Sequence, residues 1–195
     1  MSSKLFLIYF TFLFVLTFSL SEKTIFDETT LKNLKLKNRI FRAAVGDTCF
    51  KDGKITKKGF QLYDQLSKNE VGTIFTGYTT VSAYNQFDGF NVFRMDKDEY
   101  IPEYKKLTKL VHKNGANIIM QLVHLGMNTQ TKEEIIYAPS SLPMPDQDRK
   151  SKEMTIDDIV RIENDFADAA YRAQKAGFDG VEIHGANNFL IQQFY

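Results

Sequence analysis

Three times along the chain, a helical spacing of apolar residues gives way to a basic helix end, a break and a short β-rich run. Phe60, Leu62, Tyr63 and Leu66 recur at steps of three and four before Lys68-Asn69-Glu70-Val71-Gly72-Thr73-Ile74-Phe75. Tyr104, Leu107, Leu110 and Val111 do the same before Lys113-Asn114-Gly115-Ala116-Asn117-Ile118-Ile119. Ile156, Ile159, Phe166, Ala170 and Ala173 lead into Lys175-Ala176-Gly177-Phe178-Asp179-Gly180-Val181. Such spacing predicts amphipathic helices with these residues turned inward. Thr155, with Asp158 three positions on, is an acidic variant of the capping box and predicts where the longest helix starts. The β-rich runs predict strands at about 73–76, 117–122 and 180–184, with a first strand at about 39–44. Alternating helices and strands predict a parallel sheet joined by right-handed crossovers. The segment of about 124–154 carries Pro139, Pro143 and Pro145 and reads as a surface loop or lid.

Residues 1–21 break this rhythm. Lys4 precedes an uncharged, apolar stretch from Leu5 to Leu16, and Ser19 and Ser21 stand at the two positions a signal peptidase reads. This predicts a secretory signal peptide, with an uncleaved membrane anchor as the alternative. The organisation expected is therefore 1–21 as leader or anchor and 22–195 as the domain, in the secretory pathway, secreted or membrane-anchored. Net charge is +1 and falls to neutral when Lys4 leaves with the leader. A near-neutral chain of interspersed signs offers no electrostatic footprint for nucleic acid. The single Cys49 excludes an internal disulfide, and the three His and one Cys lie too far apart in sequence for the usual zinc spacings.

The most informative segment is Gly177-Phe178-Asp179-Gly180-Val181-Glu182-Ile183-His184-Gly185-Ala186-Asn187. Gly177 suits a left-handed helix C-cap, and Val181–Ile183 is a compact strand. His184 ends that strand and Asn187 follows three residues later, so a ring nitrogen and a carboxamide could converge on one ligand oxygen. Strand C-terminal ends are where parallel α/β folds place their chemistry. The competing reading is a satisfied structural His at a strand terminus. Alternation puts Glu182 on the face of His184, with Val181 and Ile183 towards the helices. A buried carboxylate needs a partner, and Arg42 of the first strand is the expected one.

This segment resembles the fourth strand of the Old Yellow Enzyme family of flavin-dependent NAD(P)H oxidoreductases. Leu36-Lys37-Asn38-Arg39-Ile40, Ile119-Met120-Gln121-Leu122-Val123-His124-Leu125-Gly126, Ala138-Pro139-Ser140 and Met154-Thr155 through Ala176-Gly177 resemble other family segments, in family order. The resemblance implies a TIM (β/α)8 barrel. It implies FMN as cofactor, NAD(P)H as reductant, and an activated alkene or other small molecule as acceptor. It further implies that His184 and Asn187 bind the substrate's carbonyl oxygen. Gln121 would meet the flavin's pyrimidine edge, its alternative being a buried Gln satisfied by backbone. Ala43, Ala44 and Val45, with Gly46, align with the flavin-contacting turn, and small residues there let backbone approach a ring.

Several positions depart from the family. Tyr78 follows the second strand where Ala is usual, Met127 stands where Arg is usual, and Phe189 replaces the usual Tyr proton donor. Phe has no proton to give, so alkene reduction would be slowed or would draw on water. His124 and His112 read as structural and surface residues. After the leader about 174 residues remain, enough for four strand–helix units where a full barrel takes about 250 residues. The expectation is therefore the N-terminal half of the barrel, competent in a longer product. The partner would be a missing C-terminal half or a second copy, with membrane association through the leader. The alternatives are an inactive half-barrel, serving as an interaction module or as a nonfunctional fragment, and an unrelated α/β binding protein.

Overall fold

A computed structural model describes residues 22–46, 49–51, 53–83, 92–129, 135–143 and 150–195. The leader expected at 1–21 lies outside the described residues. A hairpin of β1 (Thr29–Leu31) and β2 (Leu34–Leu36) precedes β3 (Phe41–Arg42), and a second hairpin of β4 (Phe50–Lys51) and β5 (Lys54–Ile55) leads into α1 (Lys57–Lys68). There follow β6 (Thr73–Thr80), β7 (Phe93–Arg94), α2 (Ile101–Lys113), β8 (Asn117–Val123), β9 (Tyr137–Ala138) and β10 (Lys152–Glu153). The chain then forms α3 (Ile156–Lys175), β11 (Gly180–Ile183) and the short α4 (Leu190–Gln193).

The main sheet runs β3-β6-β8-β11, all parallel and in chain order. Because every right-handed crossover steps the same way, α1, α2 and α3 fall on one face of the sheet and leave the other face inward. On the helix face, Ile74, Ile118, Met120 and Leu122 are fully buried against Tyr63, Tyr104, Leu107, Val111, Ala169 and Ala173. Each such aliphatic side chain contributes roughly 1.5–3 kcal/mol by leaving water. The helix stripes are those the spacing predicts, with one correction at Ile156. It sits on the first turn of α3 and is 74% exposed, while Ile162 and Ala169 take the inward positions.

Register defines the inner face. Phe75 pairs with Ile119 and Ile119 with Gly180, whereas Tyr78 pairs with Gln121 and Gln121 with Glu182. One extra residue in β6 between Phe75 and Tyr78 makes this second row possible. A bulge of that kind turns the following side chain to the other face, so Tyr78 points inward. Thr76 holds the bulge, its hydroxyl donating to the Gly77 carbonyl at 2.8 Å and accepting the Gln121 N–H at 3.2 Å.

Arg42 corrects the expected ion pair. It pairs in register with Ile74, which places it on the helix face. There Nη1 donates to the Phe75 carbonyl at 2.8 Å and the guanidinium lies 5.8 Å from the Tyr63 ring centre. His112 is also more than a surface residue: its Nε2 lies 2.8 Å from Asp179 Oδ2, which accepts the Ile118 N–H at 2.7 Å. That carboxylate ties the end of α2 to the starts of β8 and β11.

The two outer strands expose apolar side chains. Phe41 and Val45 are 42% and 54% exposed at one edge, and Val181 and Ile183 37% and 50% at the other. No helix among the described residues is long and apolar enough to cross a membrane.

The capping box is present at α3, with Thr155 Oγ1 accepting from the Asp158 N–H and the Asp158 carboxylate accepting from the Thr155 N–H. Thr155→Ala removes one half of it and is expected to cost about 1 kcal/mol. Urea unfolding of the two proteins measures this; an unchanged midpoint would show that the cap contributes nothing.

Candidate active site

Five side chains of interest, Tyr78, Gln121, Glu182, His184 and Asn187, lie towards the C-terminal ends of β6, β8 and β11. His184 continues β11, its N–H donating to the Leu122 carbonyl at 2.9 Å, and it is 8% exposed. Its Nδ1 accepts the Ala186 N–H at 3.2 Å, so in the neutral ring the proton sits on Nε2. Asn187 lies 3.4 Å from that Nε2 through Nδ2. It takes a left-handed backbone, φ 56°, which asparagine tolerates better than most residues. Two N–H donors thus converge at the mouth of the sheet, a geometry suited to one oxygen carrying negative charge.

Burial lowers the pKa of His184, and the charge of Glu182 opposes that shift. The ring therefore stays neutral at neutral pH. Glu182 reaches across to β8, where its Oε2 accepts from Gln121 Nε2 at 2.8 Å. Gln121 thus takes the place beside Glu182 that was expected for Arg42. With its Nε2 committed, Gln121 presents Oε1 as its remaining acceptor.

Behind the pair, the edge of one ring meets the face of the other where Phe189 packs on His184, centroids 4.8 Å apart at 82°. Phe189 also lies 5.9 Å from Tyr78 and joins a small apolar cluster with Val123 and Leu125. Ala43, Ala44, Val45 and Gly46 follow β3 as an open turn, with Ala44 half-buried and the other three exposed. A Cβ added to Gly46 would stand 3.8 Å from Tyr78 Cε1, so this turn reaches the same ring. Each candidate thus borders one end of the sheet, and Tyr78 lies between them.

One residue joins the site without any signal in the spacing. Gln193 clamps the loops after β8 and β11, with Oε1 accepting the Met127 N–H at 3.1 Å and Nε2 donating to Leu125 and Asn188 carbonyls. Gly126 makes room for it: φ is +60° and a Cβ there would come within 2.2 Å of Gln193 Oε1. Strand alternation places Glu182 correctly, although nothing in the spacing names Gln121 as its partner. Cys49 is buried in the hairpin before α1, away from the mouth. Among the described residues no cluster of His, Cys, Asp and Glu could hold a metal. A cavity of about 640 Å³ lies to one side, lined by Val81, His124, Tyr137, Arg161 and Asp165 among others. His184, Asn187 and Gln121 do not line it; they face the open inner side of the sheet.

The model of the NADH:flavin oxidoreductase / NADH oxidase family matches residues 24–195. The NADPH dehydrogenase of Listeria monocytogenes serotype 4a (strain HCC23) is 35% identical over 175 residues, covering 87% of this chain and 50% of that protein. The NADPH dehydrogenase of Geobacillus sp. (strain WCH70) is 34% identical over 177 residues, covering 89% and 51%. The chain therefore spans about half the length of the curated relatives it matches. Morphinone reductase in complex with tetrahydroNAD superposes with a TM-score of 0.78 at 25% identity, over 89% of this chain and 52% of that one. Old Yellow Enzyme from Pichia sp. AKU4542 gives 0.79 at 26% identity, over 90% and 49%. The four parallel strands correspond to the N-terminal half of that (β/α)8 barrel.

His124, at the end of β8, is structural. Its Nδ1 accepts the Gly126 N–H at 3.2 Å, its carbonyl accepts the Leu190 N–H at 2.9 Å, and burial lowers its pKa from 6.5 to about 3. Above pH 6.5 the ring is neutral in both the folded and the unfolded chain. As the pH falls from 6.5 towards about 3, the unfolded chain takes a proton that the folded one refuses, so stability declines across that window. His124→Gln should flatten the pH dependence of the unfolding midpoint there, and an unchanged slope would show that His124 does not carry it.

Proposed function

Because the chain belongs to the NADH:flavin oxidoreductase / NADH oxidase family, we propose that its site serves an FMN-dependent NAD(P)H oxidoreductase of the Old Yellow Enzyme type. The observation that carries this reading is the convergence of His184 Nε2 and Asn187 beside the Gln121–Glu182 pair. Apart from the Tyr78 ring, the groups present suit the cofactor's ring. Gln121 Oε1 would accept from an N–H on its pyrimidine edge, and the backbone of Ala43, Ala44, Val45 and Tyr78 would meet its other side. When bound, FMN supplies the hydride relay between NAD(P)H and a small-molecule acceptor.

The chain's own contribution is orientation and charge. His184 and Asn187 hold the acceptor's carbonyl oxygen and stabilise the negative charge that grows there as hydride arrives further along the conjugated system. Phe189 seals the apolar side and donates nothing. An activated alkene would therefore draw its one proton from water after hydride arrives, and acceptors that need no protonation at carbon suit the site better.

The reading assigns the working form to this half joined to a C-terminal half or to a second copy. The four exposed apolar residues of β3, its following turn and β11 support it, since a sheet continued at both edges would cover them. The same exposure together with Phe189 favours a second reading, an inactive half-barrel acting as an interaction module.

We further propose that residues 1–21 carry the chain into the secretory pathway, with 22–195 as the flavin-binding domain. Expressed through a secretory system, the product should begin at Glu22. A membrane-bound product retaining Met1 would instead identify an anchor.

Titrating FMN with the chain should quench its fluorescence saturably and weakly. Gln121→Ala should weaken binding by about tenfold, the scale of one lost hydrogen bond of about 1.4 kcal/mol. Absence of saturable quenching would favour the inactive half-barrel.

A further inference from the structure

Tyr78 sits where the parts of the site converge. The bulge after Phe75 turns it inward opposite Gln121. Its ring edge reaches the turn after β3, with Cε1 3.8 Å from a Cβ built on Gly46. On its far side it packs on Phe189 at 5.9 Å, and Phe189 in turn packs on His184 at 4.8 Å. One half-buried phenol ring therefore spans the space between Ala43–Gly46 and the His184–Asn187 loop. The flavin reading seats a second, larger planar ring against the same turn and the same glutamine. Two aromatic systems cannot share that volume.

We propose that Tyr78 is a gate on the flavin seat: its ring stands in the seat and must swing out before a flavin ring can settle against Gln121. This rests on the flavin reading above and adds a residue that sets affinity. The contacts made by the ring explain both states. In the closed state it caps Phe189, Val123 and Leu125, which would otherwise face water. Only part of its surface is buried. Binding is weakened in proportion to the fraction of molecules already open.

The test uses the full chain and lumiflavin, a flavin without ribityl phosphate, so that binding reports the ring seat alone. If about one molecule in ten is open, Tyr78→Ala should bind up to about tenfold tighter than the parent. Tyr78→Phe keeps the ring and should bind as the parent does. Adding Gln121→Ala to Tyr78→Ala should cancel much of the gain. If it does not, flavin does not settle against Gln121 and the gate on that seat is overturned. Equal affinity, weaker affinity from loss of a stacking platform, or no binding by any variant overturns the gate. Should Tyr78→Ala fail to fold, proton NMR of the parent decides. Loss of the Tyr78–Phe189 cross-peaks on adding lumiflavin supports the gate, and their persistence at saturation overturns it.

Discussion

The parallel ladder that β8 makes with β6 on one side and β11 on the other fixes the position of nearly every functional side chain. Its register sets Tyr78, Gln121 and Glu182 in a single row across three strands. His184 follows one alternation beyond Glu182, at the same end of the sheet. A shift of one residue in either pairing would send the slipped strand's member of the row to the helix face. The ladder is protected against such a slip by what lies on each side. Ile74, Ile118, Met120 and Leu122 are buried beneath three helices, and Asp179 binds both His112 and the Ile118 amide of β8 at the far end. Packing on one face thus stabilises chemistry on the other.

Much of this is legible in the residues. The helical spacings locate all three long helices, the Thr155–Asp158 pair marks where α3 starts, and the strand ending in His184 identifies itself by its flanking glycine and its alternation. The first strand and the loops are less legible, because so few residues of β3 pair. The expected bond between Arg42 and Glu182 fails for a local reason. A two-residue strand carries almost no alternation signal, and its register with Thr73 and Ile74 alone decides which of Phe41 and Arg42 turns inward. The bulge in β6 is likewise silent in sequence: the β-rich run predicts a strand that stops at about 76, whereas β6 continues through Tyr78 to Thr80. Yet that extra residue aims Tyr78 at the site.

Glu182 illustrates how the row works electrically. Its carboxylate accepts from Gln121 and stands near His184, where its charge opposes the depression caused by burial. The imidazole is left neutral, with Nδ1 held by the Ala186 N–H and Nε2 facing Asn187. A protonated ring would add a charge to a largely enclosed position, whereas a neutral ring with its proton on Nε2 offers one directed donor. Asn187 adds the second through a left-handed backbone that few other residues accept as readily. The oxygen-binding character of the site follows from these two constraints.

The central claim is that His184 is a neutral, Nε2-protonated donor aimed at the mouth of the sheet. Nitrogen-15 NMR of the histidine side chains measures this directly, because the two ring nitrogens differ strongly in shift when only one carries the proton. The account predicts that at pH 7 His184 shows an unprotonated Nδ1 and a protonated Nε2, with a cross-peak from Nε2–H to Asn187. A ring protonated on both nitrogens at that pH, or one carrying its proton on Nδ1, would contradict it.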